Sequence, residues 1–194
     1  MTVPVVNLSF AACGFLGIYQ LGACGAILRH GDKLVSSLRA CAGASAGALV
    51  AAVMVTAPDK LQSVKEFTFR FAKDVRSQRF GAVTPGYNFM LTLREGIEEF
   101  LPGDAHIKAG NRLHISITHS KSGKNTIVSS FASREDLIKV AGHKPEQIIL
   151  LYLGFNTKCC RKCLRSMAIV FPLIHCIVGS VLCFSQSSDR AMHI

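Results

Sequence analysis

The chain sets one serine between two glycines, Gly43-Ala44-Ser45-Ala46-Gly47, where a hydrophobic run meets ALVAAVMV. G-x-S-x-G at a strand-to-helix junction can hold a serine hydroxyl on a sharp turn, free to attack an acyl carbonyl. Gly43 and Gly47 matter sterically, because such a turn tolerates little bulk and needs helix and strand to approach closely. The same residues also read as a small-residue helix start with Ser45 as N-cap. Acyl transfer needs a nucleophile, a base for its proton and N–H donors for the oxyanion. A second stretch, ACGFLG (12–17), also follows an apolar run and precedes a helical one. Main-chain N–H groups of Cys13 and Gly14 can receive an oxyanion there, and an ordinary tight turn is the alternative. Only Gly14 and Gly17 fit G-x-G-x-x-G, so no dinucleotide cofactor is expected.

Both turns need elements to hold them. VPVVNLSF (3–10) reads as a buried strand that empties into the first turn. IYQLGACGAILRH (18–30) has helical spacing and closes at Gly31, a C-cap. LVSSLRACA (34–42) predicts a second strand, and Ala46 to Thr56 a buried helix stopped by Pro58. Residues 59–78 make an amphipathic helix with Leu61, Val64, Phe67, Phe71 and Val75 on one side. A loop follows over 81–87, then a helix over 88–101 ended by Pro102-Gly103. LHISITHS (113–120) alternates as a strand, TIVSSF (126–131) is its hairpin partner, and Ser133 caps a helix over 133–140. Strands followed by helices predict an α/β fold with helices flanking a partly parallel sheet.

The 194 residues allow one domain with a sizeable core. A hydrophobic content of 49% with 18% charged residues excludes disorder over most of the length. The net charge of +10 asks for an anionic partner. Without a nucleic-acid motif the reading favours a membrane or lipid-droplet surface and no nucleic acid. Cys13, Cys24 and Cys41 sit among small or apolar residues, as free thiols do. The N-terminus has no signal-peptide pattern, so a cytoplasmic, reducing setting is expected.

After Val140 the character changes. Residues 1–140 read as an incomplete domain and 141–194 as a divergent hydrophobic and basic tail. In that tail 167–184 carry no formal charge, at the short edge of a bilayer span of about 17–25 residues, behind the basic stretch KCCRKCLR. Cys160 and Cys163 with His175 and Cys176 mimic zinc spacing, but no second C-x-x-C exists and no metal is expected.

NLSFAACGFLGIYQLGA, AGASAGALVAA, FGAVTPGY, NRLHISIT and FASREDLIKV together resemble the patatin-like phospholipase domain family, in its animal triglyceride-lipase and adiponutrin-like branch. The resemblance covers about residues 5–140. It implies a three-layer α/β sandwich with a partly parallel sheet, the C-terminal part here truncated or replaced. It also implies hydrolysis of lipid esters (triacylglycerols, phospholipids or retinyl esters) by a serine-aspartate dyad, without a cofactor. By position Ser45 matches the nucleophile, and Cys13 and Gly14, with Gly17 after them, the oxyanion turn. Ala12 stands where a glycine is usual.

The family's aspartate sits in an Asp-Gly-Gly or Asp-Gly-Ala motif downstream of REDLIKV. The aspartates here are at 32, 59, 74, 104, 136 and 189, and none precedes a glycine. Asp136, at a helix start, suits capping rather than base catalysis. His114 and His119 fall on opposite faces of one strand, and nothing aims either at Ser45. Two expectations follow: a serine-dependent lipid acyl hydrolase, and a catalytically inactive, truncated isoform that binds lipid or membrane.

Overall fold

The computed structural model describes residues 5–119, 122–142 and 182–186. The first apolar run forms β1 (Val6–Phe10), and a 3-10 turn over Gly14–Leu16 leads straight into α1 (Gly17–His30). Gly31 ends α1 by donating its N–H to the Ile27 carbonyl at 2.8 Å. A Cβ on Gly31 would stand 2.7 Å from that same oxygen, so proximity selects the glycine.

The strand expected over 34–42 divides in two. Asp32–Ser36 is a short helix, α2, and β2 spans Leu38–Ala44. Its serines explain the difference: the Ser36 and Ser37 hydroxyls donate back to the Lys33 carbonyl at 3.0 and 2.8 Å. Such local bonds offer the backbone an alternative to extended pairing.

α3 (Ala46–Thr56) has the expected bounds and is buried almost all round. Its one polar residue in the second half, Thr56, satisfies its hydroxyl on the Ala52 carbonyl at 2.8 Å. α4 (Leu61–Ser77) buries Leu61, Phe71 and Val75 along its apolar stripe. α5 (Phe89–Phe100) is capped by Asn88, whose side chain accepts from Leu91 N–H at 3.1 Å. The one-turn helix α6 (Ala105–Ala109) was not foreseen, because five residues are too few to show a period. The hairpin follows as β3 (Leu113–Thr118) and β4 (Asn125–Val128), shorter than expected. α7 spans Arg134–Gly142. Its start is capped reciprocally, with Ser133 Oγ accepting from Asp136 N–H at 3.1 Å and the Asp136 carboxylate from Ala132 N–H at 3.0 Å.

β5 (Leu182–Gln186) completes a five-stranded sheet of order β4-β3-β2-β1-β5. The three central strands are parallel, and each edge strand is antiparallel to its neighbour. The crossovers β1 to β2 and β2 to β3 step in the same direction along the sheet, and the helices that make them, α1 and α3, pack against one another. On one face of the sheet Leu8, Phe10, Cys41, Leu113 and Ile115 are buried in one core with α3. On the other face Ser9, Ala42, His114 and Ser116 are only half-buried. This is the expected mixed α/β architecture. Most of the hydrophobic tail, the 167–184 segment up to β5 and the cysteine cluster at 159–163 lie outside the described residues. Among the described residues no helix is long and apolar enough to cross a membrane.

Candidate active site

Phe10 and Gly43 are partners in the parallel ladder, so β1 and β2 finish level with one another. Both chains turn into helices at that edge, the end of a parallel sheet where ligands bind in open α/β folds. Ser45 is the turning residue after β2, with φ 54° and ψ −129°. A non-glycine residue held there costs on the order of 1–3 kcal/mol, so its surroundings must impose it.

Two close approaches impose it. A Cβ on Gly43 would strike the Gly47 carbonyl and lie 2.6 Å from Ala48 N. A Cβ on Gly47 would lie 2.5 Å from the Ala11 carbonyl oxygen and 2.7 Å from the Phe10 carbonyl carbon. The first turn of α3 is thus pressed against the ends of β2 and β1. Ser45 is half-buried, and its side chain accepts no N–H from the helix it precedes. It is an N-cap by position only. The positive end of α3 lies directly behind it.

The first turn meets this junction. Gly14 has φ 53°, and Leu16 N–H donates to the Cys13 carbonyl at 3.1 Å. A Cβ on Gly17 would lie 3.6 Å from Cys13 Sγ and 3.7 Å from Ala46 Cβ. The residue after Ser45 therefore touches the base of the turn that carries Cys13 and Gly14. The structure brings Cys13, Gly14, Gly17, Gly43, Ser45 and Gly47 to one end of two adjacent strands.

Two supporting features had no signal in the sequence. Gln20, only 1% exposed on α1, donates its Nε2 to the Ala11 carbonyl at 3.1 Å, the same carbonyl that crowds Gly47. Phe15, between Gly14 and Gly17 of the first turn, packs on Phe71 at 5.5 Å and Phe89 at 6.2 Å between ring centroids. Phe71 and Phe89 are 4.9 Å apart, so α4 and α5 together brace the first turn. Periodicity identifies Phe71 as an inward residue of α4, but its partner comes from a different element.

Among the described residues the aspartates serve other places. Asp104 pairs with Lys108 at 3.1 Å, and Asp136 caps α7. Asp74 lines a cleft between α4 and α5 with Arg70 and Glu99. Asp32 and Asp59 stand in the first turns of short helices, and Asp189 lies outside the described residues. His114, level with Ala42, is on the sheet face opposite α3, and His119 donates its N–H to the Lys124 carbonyl at 2.9 Å in the hairpin turn. Among the described residues no cluster of His, Cys, Asp and Glu could hold a metal.

A family model for patatin-like phospholipase matches residues 8–156. Human patatin-like phospholipase domain-containing protein 4 is 62% identical over 135 residues, 70% of this chain and 53% of that protein. Human patatin-like phospholipase domain-containing protein 2 is 37% identical over 133 residues, 69% of this chain and 26% of that protein. Mouse 1-acylglycerol-3-phosphate O-acyltransferase is 34% identical over 132 residues, 68% of this chain and 32% of that protein. The chain thus spans about half the length of the first relative and about a third or less of the others. No solved structure matches it. With the paired glycine turns, the parallel strands that carry them and the family match over most of its length, the chain belongs to the patatin-like phospholipase family.

Proposed function

We propose that this chain is a serine-dependent lipid ester hydrolase of the patatin type, acting on triacylglycerol, phospholipid or retinyl ester at a cytoplasmic membrane or droplet surface. The backbone of Ser45 carries the reading: a strained φ of 54°, enforced by Gly43 and Gly47, with a hydroxyl not spent on capping. Ser45 Oγ attacks the ester carbonyl, and the Cys13 and Gly14 N–H groups receive the oxyanion. Collapse expels the lipid alcohol, whose oxygen takes up the proton that Ser45 has lost, by way of solvent, and water then releases the fatty acid and restores the Ser45 hydroxyl. The names of the relatives, phospholipase, O-acyltransferase and, for a mouse protein 30% identical over 133 residues, omega-hydroxyceramide transacylase, share acyl transfer and differ in the acceptor.

A second reading rests on one specific observation. None of the six aspartates is followed by glycine, and those in the described residues serve helix starts, an ion pair or the cleft between α4 and α5. Without a paired base the Ser45 proton must leave to solvent, which lowers turnover by orders of magnitude, because nucleophile and base act as a unit. The chain would then bind lipid without hydrolysing it at a useful rate.

Fatty acid release from emulsified triacylglycerol, phospholipid vesicles and retinyl ester, by the chain and by Ser45→Ala, separates these readings. Release that disappears in Ser45→Ala supports the hydrolase. Equal release from both proteins removes Ser45 from the reaction. Lipid binding without release supports the second reading.

A further inference from the structure

The surface around the Ser45 edge is apolar to an extent the chemistry of the site does not require. α1 and α4 run antiparallel: a Cβ on Gly25 would meet Leu61 Cδ2 at 3.4 Å and Lys65 Nζ at 3.5 Å, whereas Phe15 meets Phe71. α4 therefore approaches the Ser45 end as it proceeds, and α5 begins there, with Phe89 against Phe15 and Phe71. The connection between them, residues 78–88, must lie at that same end. Phe15, Leu16, Tyr19, Phe80, Val83 and Leu91 are exposed there, Val83 at 81% and Phe80 at 59%. Tyr19 follows Phe15 and Leu16 by four and three residues, so the three share one side of the turn-helix unit.

Charge is segregated in the same place. Residues 10–28 and 81–93 contain no Asp, Glu, Lys or Arg. Beside them the end of α4 and the residues after it expose Lys73, Arg76 and Arg79, while Asp74 faces the cleft towards α5 that Glu95 and Glu99 also line. The Arg79 guanidinium lies 5.4 Å from the centroid of the Phe80 ring. The ion pairs seen among the described residues involve Arg94, Lys108 and Lys139 instead.

We infer that this end of the molecule is a docking surface for a lipid layer bearing anionic headgroups, with residues 80–83 and Leu16 entering the layer and Lys73, Arg76 and Arg79 at the headgroups. The inference rests on the hydrolase reading for its purpose, but not for its test. An ester dissolved in a lipid phase reaches Ser45 only if the site opens onto that phase. Exposed apolar groups flanked by cations match its two zones, acyl chains inside and negative headgroups outside.

Co-flotation of the full chain with phosphatidylcholine vesicles, and with phosphatidylcholine mixed with phosphatidylglycerol, tests this. Flotation is expected with the anionic vesicles and should weaken as salt is raised. Arg76→Gln/Arg79→Gln should reduce partitioning on the order of tenfold, and Phe80→Ser/Val83→Ser by about tenfold or more. Phe69→Ser, an exposed apolar residue on α4 before its last two turns, should float like the parent. Circular dichroism and the thermal transition of each variant show that the fold is retained. If both double variants float like the parent, another part of the chain, such as the basic tail, carries binding and the proposal is overturned. Absence of flotation with either vesicle overturns it too, and points to a protein as occupant. Labelling of Ser45 by a fluorophosphonate in solution, read on the same samples, reports the hydrolase reading separately.

Discussion

Glycines 14 and 47 meet different physical demands, and their substitution should differ accordingly. At Gly47 the demand is room, because a methyl group there collides with the Ala11 and Phe10 carbonyls at the end of β1. Backbone cannot move aside as a flexible side chain can, so Gly47→Ala should cost about 3 kcal/mol or more. At Gly14 nothing lies within 4 Å, and the demand is the positive φ alone. Gly14→Ala should cost about 1–2 kcal/mol and no more. Urea unfolding of the two variants checks both figures, and equal losses would contradict this division. The G-x-S-x-G glycines were legible in the sequence because the motif is local. Gln20 was not, because its target is the carbonyl of a residue nine positions earlier, brought near by the fold.

At the scale of elements, α4 and α5 brace the first turn through ring contacts on Phe15. Phe71→Ala removes the ring that contacts both Phe15 and Phe89, and should cost about 3–5 kcal/mol. It should also raise hydrogen exchange at 13–16 more than at β3, which shows that the brace acts on the turn. Equal changes at both places would mean only general loosening. Arg134 ties α5 to α7: its guanidinium donates to the Leu101 carbonyl at 3.1 and 2.9 Å and to the Glu98 carbonyl. These orphan carbonyls at the end of α5 favour a cation, so Arg134→Met should lower stability by about 1–3 kcal/mol in a denaturant titration. Elements with a full period, α3 and α4 above all, were readable from spacing. α2 and α6 were not, since five residues cannot display a repeat and the Ser36-Ser37 bonds to Lys33 decide the local conformation.

The whole molecule couples a core with buried thiols to a basic exterior. Burial pushes Cys24 and Cys41 up to about 12, far above the ordinary thiol value of about 8.5. Below about pH 8.5 both states keep these protons, and the contribution to stability is full. As the pH rises towards about 12 the unfolded chain releases protons that the folded one retains, so stability is lost. Stability should therefore decline from about pH 8.5 upwards, and Cys24→Ala should make that decline shallower. A slope unchanged in Cys24→Ala would show that this thiol is not the cause. At this scale the sequence conveyed the α/β class and a partly parallel sheet, because strands alternating with helices favour parallel pairing. β5 could not be read, because the family resemblance seen in the sequence ends near Val140 and its pairing with β1 joins residues as distant along the chain as Val6 and Gln186.

The central claim is that the hydroxyl at position 45 is a nucleophile presented between two glycine turns. The most direct measurement is a mass map of the chain after treatment with a fluorophosphonate. The account predicts one phosphonyl adduct on the peptide containing Ser45, absent from Ser45→Ala and slowed in Gly14→Ala. An adduct on another residue at an equal rate in Ser45→Ala, or no adduct on Ser45 in a chain shown to be folded, would contradict it.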